Sequence, residues 1–175
     1  MTETLPPCVF IVDDDDDLRD SLAYLLRTVG IATRTYRSAS EFFAEYRHEW
    51  PGCLVCDVRM PDISGIELYE RLTAAGGTLP VIFMTAYADV PMAIRALRSG
   101  AVEFIEKPFN AQVMLERIQR AIAADREERQ LVARWEEFGE RIASLTDKEQ
   151  EALKLLMEGA PNKQIAAKLG ISERA

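Results

Sequence analysis

Five residues from four parts of the chain stand at the ends of short, largely apolar runs. Asp13 and Asp14 follow VFIV (9–12), Asp57 follows LVC (54–56), Thr85 follows VIFM (81–84), and Lys107 follows VEFIE (102–106). Carboxylates held close together repel unless a cation lies among them. Oxygen donors of this kind suit Mg²⁺, which takes one or two carboxylates together with waters and a phosphate oxygen. Asp13, Asp14 and Asp57 are therefore the candidate metal ligands, with the Thr85 hydroxyl and the Lys107 ammonium on the same rim. Asp15, Asp16 and Asp17 complete a run of five aspartates. Their expected role is plainer: carboxylates in the first turn of a helix interact favourably with its positive end.

These residues need a scaffold that brings strand ends together. The runs 9–12, 54–56 and 81–84 are continuously apolar, as parallel strands covered on both faces must be. IATRTY (31–36) and VEFIE (102–106) carry more polar residues and suit sheet edges. Helical stripes lie between the strands, the first marked by Leu18, Leu22, Leu25, Leu26 and Val29. Gly30, Gly76-Gly77 and Gly100 offer helix stops. Ser38 or Ser40, Asp89 and Asn110 offer N-caps. The pattern predicts an α/β, flavodoxin-like (βα)5 unit with a parallel sheet in the order 2-1-3-4-5. Ligands of such sheets bind beyond the carboxyl ends of the strands, where the strand order reverses.

Bulk properties narrow the choice. The 175 residues carry a net charge of −8, which argues against non-specific nucleic-acid binding by the whole chain. The apolar runs fall well short of the ~20 residues of a membrane span, and MTETLPPC does not read as a secretory signal. Cys53 and Cys56 form a C-x-x-C, but on a strand such residues point to opposite faces and cannot share a metal. They read, with Cys8, as free thiols of a reducing cytosol. His48 is the sole histidine and lies in the polar end of a helix, so a Ser-His-Asp or Cys-His site is not expected.

The stretches IVDDD, CDVRMPDISGIEL and VIFMTAYADVPMAIRALRSGAVEFIEKPF together resemble the receiver domain of two-component response regulators, and in particular the FixJ-like branch. That resemblance implies that Asp57 is the phosphoacceptor for a sensor histidine kinase. It implies that Asp14, Asp57 and the backbone carbonyl of Arg59 hold Mg²⁺, with Asp13 acting through water. Thr85 would hydrogen-bond the phosphoryl group, Lys107 would pair with it, and Phe104 would be an aromatic switch residue. Lys107-Pro108 resembles the family's cis-proline turn, and Arg59 and Tyr87 occupy positions that tune water access. Each residue also has a plain alternative: Thr85 as a strand end, Lys107 as a solvated charge, Phe104 as core. The implied protein is a cytoplasmic regulator, not an enzyme, although it would promote its own phosphorylation and dephosphorylation. Phosphorylation would alter the face formed by the fourth helix and fifth strand and drive homodimerisation.

The receiver is expected to span 1–124, with Val113, Met114, Ile118, Ala121 and Ile122 on its last helix. A linker helix (125–143) follows, in which DREERQ interrupts the apolar stripe before Leu131, Val132, Trp135, Phe138 and Ile142 resume it. Its expected role beyond spacing is contact with a second protomer, although Asp125 and Arg129 weaken a continuous coiled coil. Residues 144–175 resemble the start of a LuxR-type helix-turn-helix domain: Ser144 or Thr146 caps one helix with Leu153, Leu156 and Met157 facing inward. Asn162 caps a second, Gly170 turns the chain and Ser172 would cap the recognition helix. The sequence stops at Ala175, so this domain is expected to be truncated. Promoter DNA would then be bound by the longer parent and poorly by this chain.

Two other readings remain open at this level. One is a signalling adaptor acting through protein contacts without DNA. The other is a haloacid-dehalogenase-like phosphatase, with Asp13 as nucleophile and Asp15 as acid.

Overall fold

The computed structural model describes residues 5–86 and 103–170. Tyr87, the expected helix between Asp89 and Gly100, and the helix expected after Ser172 lie outside the described residues. The elements are β1 (Cys8–Val12), α1 (Asp16–Thr28), β2 (Ala32–Tyr36), α2 (Ala39–Glu45), β3 (Gly52–Asp57), α3 (Gly65–Ala74), β4 (Val81–Thr85), β5 (Glu103–Glu106), α4 (Ala111–Ala143), α5 (Asp147–Met157) and α6 (Asn162–Leu169). Contacts divide the chain into two units, Met1–Glu128 and Arg129–Ala175.

In the first unit the strands form one sheet in the order β2-β1-β3-β4-β5, every pair parallel. Strand alternation sorts the core into two halves. Phe10, Val12, Leu54, Cys56 and Phe83 pack with Phe42 of α2 and Ile66, Leu68 and Leu72 of α3. Val9, Ile11, Cys53, Val55, Ile82 and Met84 pack on the opposite face with Leu22 and Leu26 of α1 and Met114 and Ile118 of α4. The two cysteines of the C-x-x-C thus lie on opposite sides of the sheet, both buried and free. Burial pushes both thiols well above the ordinary cysteine range. The edge strands β2 and β5 are the more exposed, as their polar residues require.

Local signals set the helix ends. The Asp15 carboxylate accepts the Leu18 N–H and starts α1. Ser38, not Ser40, caps α2, and the Asn110 amide oxygen accepts the Gln112 N–H at the start of α4. Two expected faces differ in detail. On α1 the buried stripe is Arg19, Leu22, Ala23 and Leu26, while Val29 is 45% exposed. On α4 it is Met114, Ile118, Ala121 and Asp125, with Val113 turned outward. In both cases the stripe follows the steps of three and four that keep one face of a helix against the sheet.

Asp125, expected to open the linker helix, belongs to the first unit and is 4% exposed. One of its carboxylate oxygens accepts the backbone N–H of Gly52, at the start of β3, at 2.8 Å. Gly52 is fixed as glycine: its φ is +142°, and a Cβ there would lie 1.8 Å from the carbonyl oxygen of Cys8.

In the second unit Thr146 and Glu149 form a reciprocal capping box at α5. Hydrogen bonds from the Thr146 hydroxyl and backbone N–H hold the Glu149 carboxyl below its usual range. Leu156 and Met157, expected inward, are exposed, and α5 has no buried residue. The position before α6 also differs from expectation. Pro161 occupies the N-cap without a side-chain bond, and Asn162 is the first helical residue. Pro161 still suits the place, since it has no N–H to leave unpaired there. Gly170, at φ +66°, ends α6 in the left-handed region as expected.

Candidate functional site

The parallel register puts the ends of β1, β3, β4 and β5 on one rim. Val12 is beside Cys56, Asp57 beside Met84, and Thr85 beside Glu106. The residue that follows each strand or closes it is therefore delivered to the same edge.

Asp13, Asp57 and Lys107 meet there directly. The Lys107 Nζ donates to Asp13 Oδ2 at 2.8 Å and lies 2.6 Å from Asp57 Oδ1. The other oxygen of each carboxylate is also engaged. Asp13 Oδ1 accepts the Asp15 N–H at 2.9 Å, and Asp57 Oδ2 accepts the Arg59 N–H at 2.8 Å. Asp13 is 1% exposed and Asp57 6%. Two buried carboxylates facing one ammonium leave a net negative notch. Removing one partner of such a buried set costs about 3–5 kcal/mol, because the remaining charges lose their compensation.

The titration behaviour follows from this geometry. Burial raises the Asp13 carboxyl above its ordinary value, and the Lys107 and Asp15 hydrogen bonds offset only part of that rise. Burial works against the Lys107 charge, but its bonds to Asp13 and Asp57 prevail and hold it above the ordinary lysine value.

The other expected residues take several positions. Thr85 is buried at the end of β4, and its carbonyl accepts the Lys107 N–H at 2.7 Å. Phe104 is half-buried on β5, with its ring centroid 5.1 Å from that of Phe83. The Phe104 carbonyl accepts from Arg117 at 2.7 Å. Asp14 is exposed beside the notch. Among the described residues no three Asp, Glu, His or Cys side chains close into a metal-sized group. The Lys107 ammonium occupies the place between Asp13 and Asp57 where a cation would balance them. The Lys107-Pro108 bond is cis.

Two supporting residues do not stand out from the sequence pattern. The Arg19 guanidinium is buried; its Nη1 donates to the Asp13 carbonyl at 2.6 Å and its Nη2 pairs with Asp16. Gly65 starts α3 against the end of β3, its N–H donating to the Val58 carbonyl at 3.1 Å. A Cβ on Gly65 would lie 2.2 Å from the Asp57 carbonyl oxygen and 2.8 Å from Cys56 Sγ. The signal for Arg19 was present: a charged residue on the inward stripe of an amphipathic helix needs a partner.

A doubly wound sheet with two acids and a lysine at its carboxyl rim defines a receiver. The family model for the response regulator receiver domain matches residues 9–119, and that for bacterial regulatory proteins of the luxR family matches residues 143–175. This chain belongs to the response regulators, with a receiver and a LuxR-type DNA-binding domain. It is 43% identical over 175 residues to the transcriptional regulatory protein FixJ of Azorhizobium caulinodans, covering 99% of this chain and 82% of that one. It is 44% identical over 168 residues to the C4-dicarboxylate transport transcriptional regulatory protein DctR of Rhodobacter capsulatus, covering 95% and 85%. Among solved structures it is similar to the response regulator StyR, with a TM-score of 0.87 and 44% identity, covering 97% of this chain and 85% of that one. Family membership displaces the phosphatase reading. The roles of the aspartates agree: Asp15 caps a helix and Asp13 is tied to Lys107. Among the described residues no helix is long and apolar enough to cross a membrane.

Proposed function

We propose that Asp57 accepts a phosphoryl group from the phosphohistidine of a sensor kinase, and that this event controls promoter binding by the LuxR-type domain. The observation that carries the reading is the Asp57 carboxylate at the end of a wholly buried strand, with one oxygen 2.6 Å from the Lys107 ammonium. In the transfer the nitrogen–phosphorus bond of the donor breaks and a bond from an Asp57 oxygen forms. Such transfer proceeds through a loose transition state, so alignment and charge compensation matter more than nucleophile strength.

The donor set fits a divalent cation. Every candidate ligand is a carboxylate or carbonyl oxygen, and the acids outnumber the single lysine. Mg²⁺ needs no closed triad, since one or two carboxylates and waters suffice. Asp14, Asp57 and the Arg59 carbonyl would hold the ion, with Asp13 assisting through water. When bound, the ion neutralises charge on the phosphoryl oxygens. Lys107 supplies the fixed positive charge on the same side, and the Thr85 hydroxyl donates to the transferred group. Phe104 turns toward the space Thr85 vacates and passes the change to the outer face beside β5. Self-association across that face is the output step, and the protein works in the cytoplasm, where the kinase delivers its phosphoryl group.

The test is incubation with a small phosphoryl donor and Mg²⁺, followed by mass measurement of the intact chain. Wild type gains one alkali-labile phosphoryl group and Asp57→Asn gains none. Uptake by Asp57→Asn at the wild-type level overturns the assignment.

A further inference from the structure

Arg19 raises a question about charge. Beside a notch read as a cation site lies the guanidinium of a residue only 8% exposed, bonded to the main chain of Asp13. That group does not pair with the carboxylate of Asp13 or Asp57. Its Nη1 donates to the main-chain carbonyl of Asp13, and its Nη2 takes the carboxylate of Asp16, whose side chain is 82% exposed. As a counter-charge Arg19 would weaken cation binding, so its presence there calls for a geometric account.

The bonding around Asp13 supplies one. Its N–H donates to the Tyr36 carbonyl at 3.2 Å, its side chain is held by Lys107 and the Asp15 N–H, and its carbonyl is held by Arg19. The carbonyl belongs to the peptide that leads into Asp14. Asp14 is exposed, so its direction depends on that peptide more than on packing. A planar fork with fixed donors can lock a peptide plane in a way that a flexible ammonium cannot.

We propose that Arg19 is a positioning residue of the notch, clamping the Asp13–Asp14 peptide between β1 and the first turn of α1 so that the Asp14 carboxylate is aimed at the divalent cation. This rests on the reading that the notch takes Mg²⁺.

The test uses the full chain and two measurements: calorimetric titration with MgCl₂, and amide exchange of residues 13–16 without metal. Arg19→Gln weakens Mg²⁺ binding by roughly tenfold or more, the size seen when a group orienting a metal ligand is lost. It also speeds exchange of the Asp15 amide. Arg19→Lys keeps the charge but not the fork, and weakens binding as well. Asp16→Asn removes only the outer anchor on an exposed side chain, and serves if the Arg19 variants fail to fold; it shifts both measurements the same way by a smaller factor. Tighter Mg²⁺ binding in Arg19→Gln with wild-type binding in Arg19→Lys would show a purely electrostatic role and overturn the proposal. A lowered melting temperature with unchanged affinity and unchanged Asp15 exchange would overturn it too. If wild type itself bound no Mg²⁺, the metal reading would fall; an unaltered Asp15 amide in the variants would then separately remove the clamp.

Discussion

The two halves of α4 are built from similar residues and held by different forces. From Ala111 to Asp125 the helix presents Met114, Ile118 and Ala121 to the sheet, each with no exposed surface. Beyond Asp125 it buries no residue, and Leu131, Val132, Trp135 and Phe138 are between 44% and 64% exposed. Good helix formers such as Glu, Arg, Gln and Ala fill the second half, and Glu137 precedes Arg141 by one helical turn, a favourable order. The first half is helical because tertiary packing requires it. The second rests on intrinsic propensity and short-range pairs, each worth only a few tenths of a kcal/mol. One continuous helix can therefore have two quite different stabilities along its length.

Cavity formation gives the largest expected contrast. Ile118→Ala should lower stability in urea unfolding by about 2–5 kcal/mol, since a fully buried side chain leaves a void. Phe138→Ala should change it by no more than roughly 0.5 kcal/mol, as at ordinary surface positions. Equal losses would mean that the second half is as tightly packed as the first.

A smaller effect marks the point where the regimes meet. Asp125→Ala strands the buried Gly52 N–H, at a cost of about 1–3 kcal/mol. Asp125→Asn retains an acceptor oxygen and should recover part of that loss. Denaturant midpoints that do not distinguish the two variants would assign the effect to something other than this bond.

The mildest contrast is in pH. Lys107, raised by its carboxylate partners, adds stability that is complete below the ordinary lysine value and disappears as pH rises through the higher folded value. Glu149, lowered by Thr146, adds stability that is present above the ordinary glutamate value and disappears as pH falls through the lower folded value. Alkali should thus loosen the receiver rim while acid frays the start of α5. Circular dichroism across the pH range should lose its alkaline arm in Lys107→Gln and its acid arm in Thr146→Ala.

The sheet was legible because its strands announce themselves as unbroken apolar runs, and the rim followed from which residues end them. The strand ends alone put Asp13, Asp57 and Lys107 on one rim. Arg19 and Asp125 could not be placed in this way, because pattern reading treats a charged side chain as solvated by default. Each nonetheless holds a stripe position, three before Leu22 and four after Ala121, where a charge is a sign of a buried partner. Leu156 and Met157 misled in the opposite sense: apolar spacing shows which face is greasy, not whether anything covers it.

The absence of a side chain at Gly65 has a mechanical result. With its first residue seated by the carbonyl of Asp57, α3 abuts the top of β3, and there is room at that junction for glycine but not for a side chain. A methyl group added at Gly65 would therefore have to displace the main chain directly beneath the Asp57 carboxylate, so the helix and the strand tip are coupled through a residue that carries no functional group.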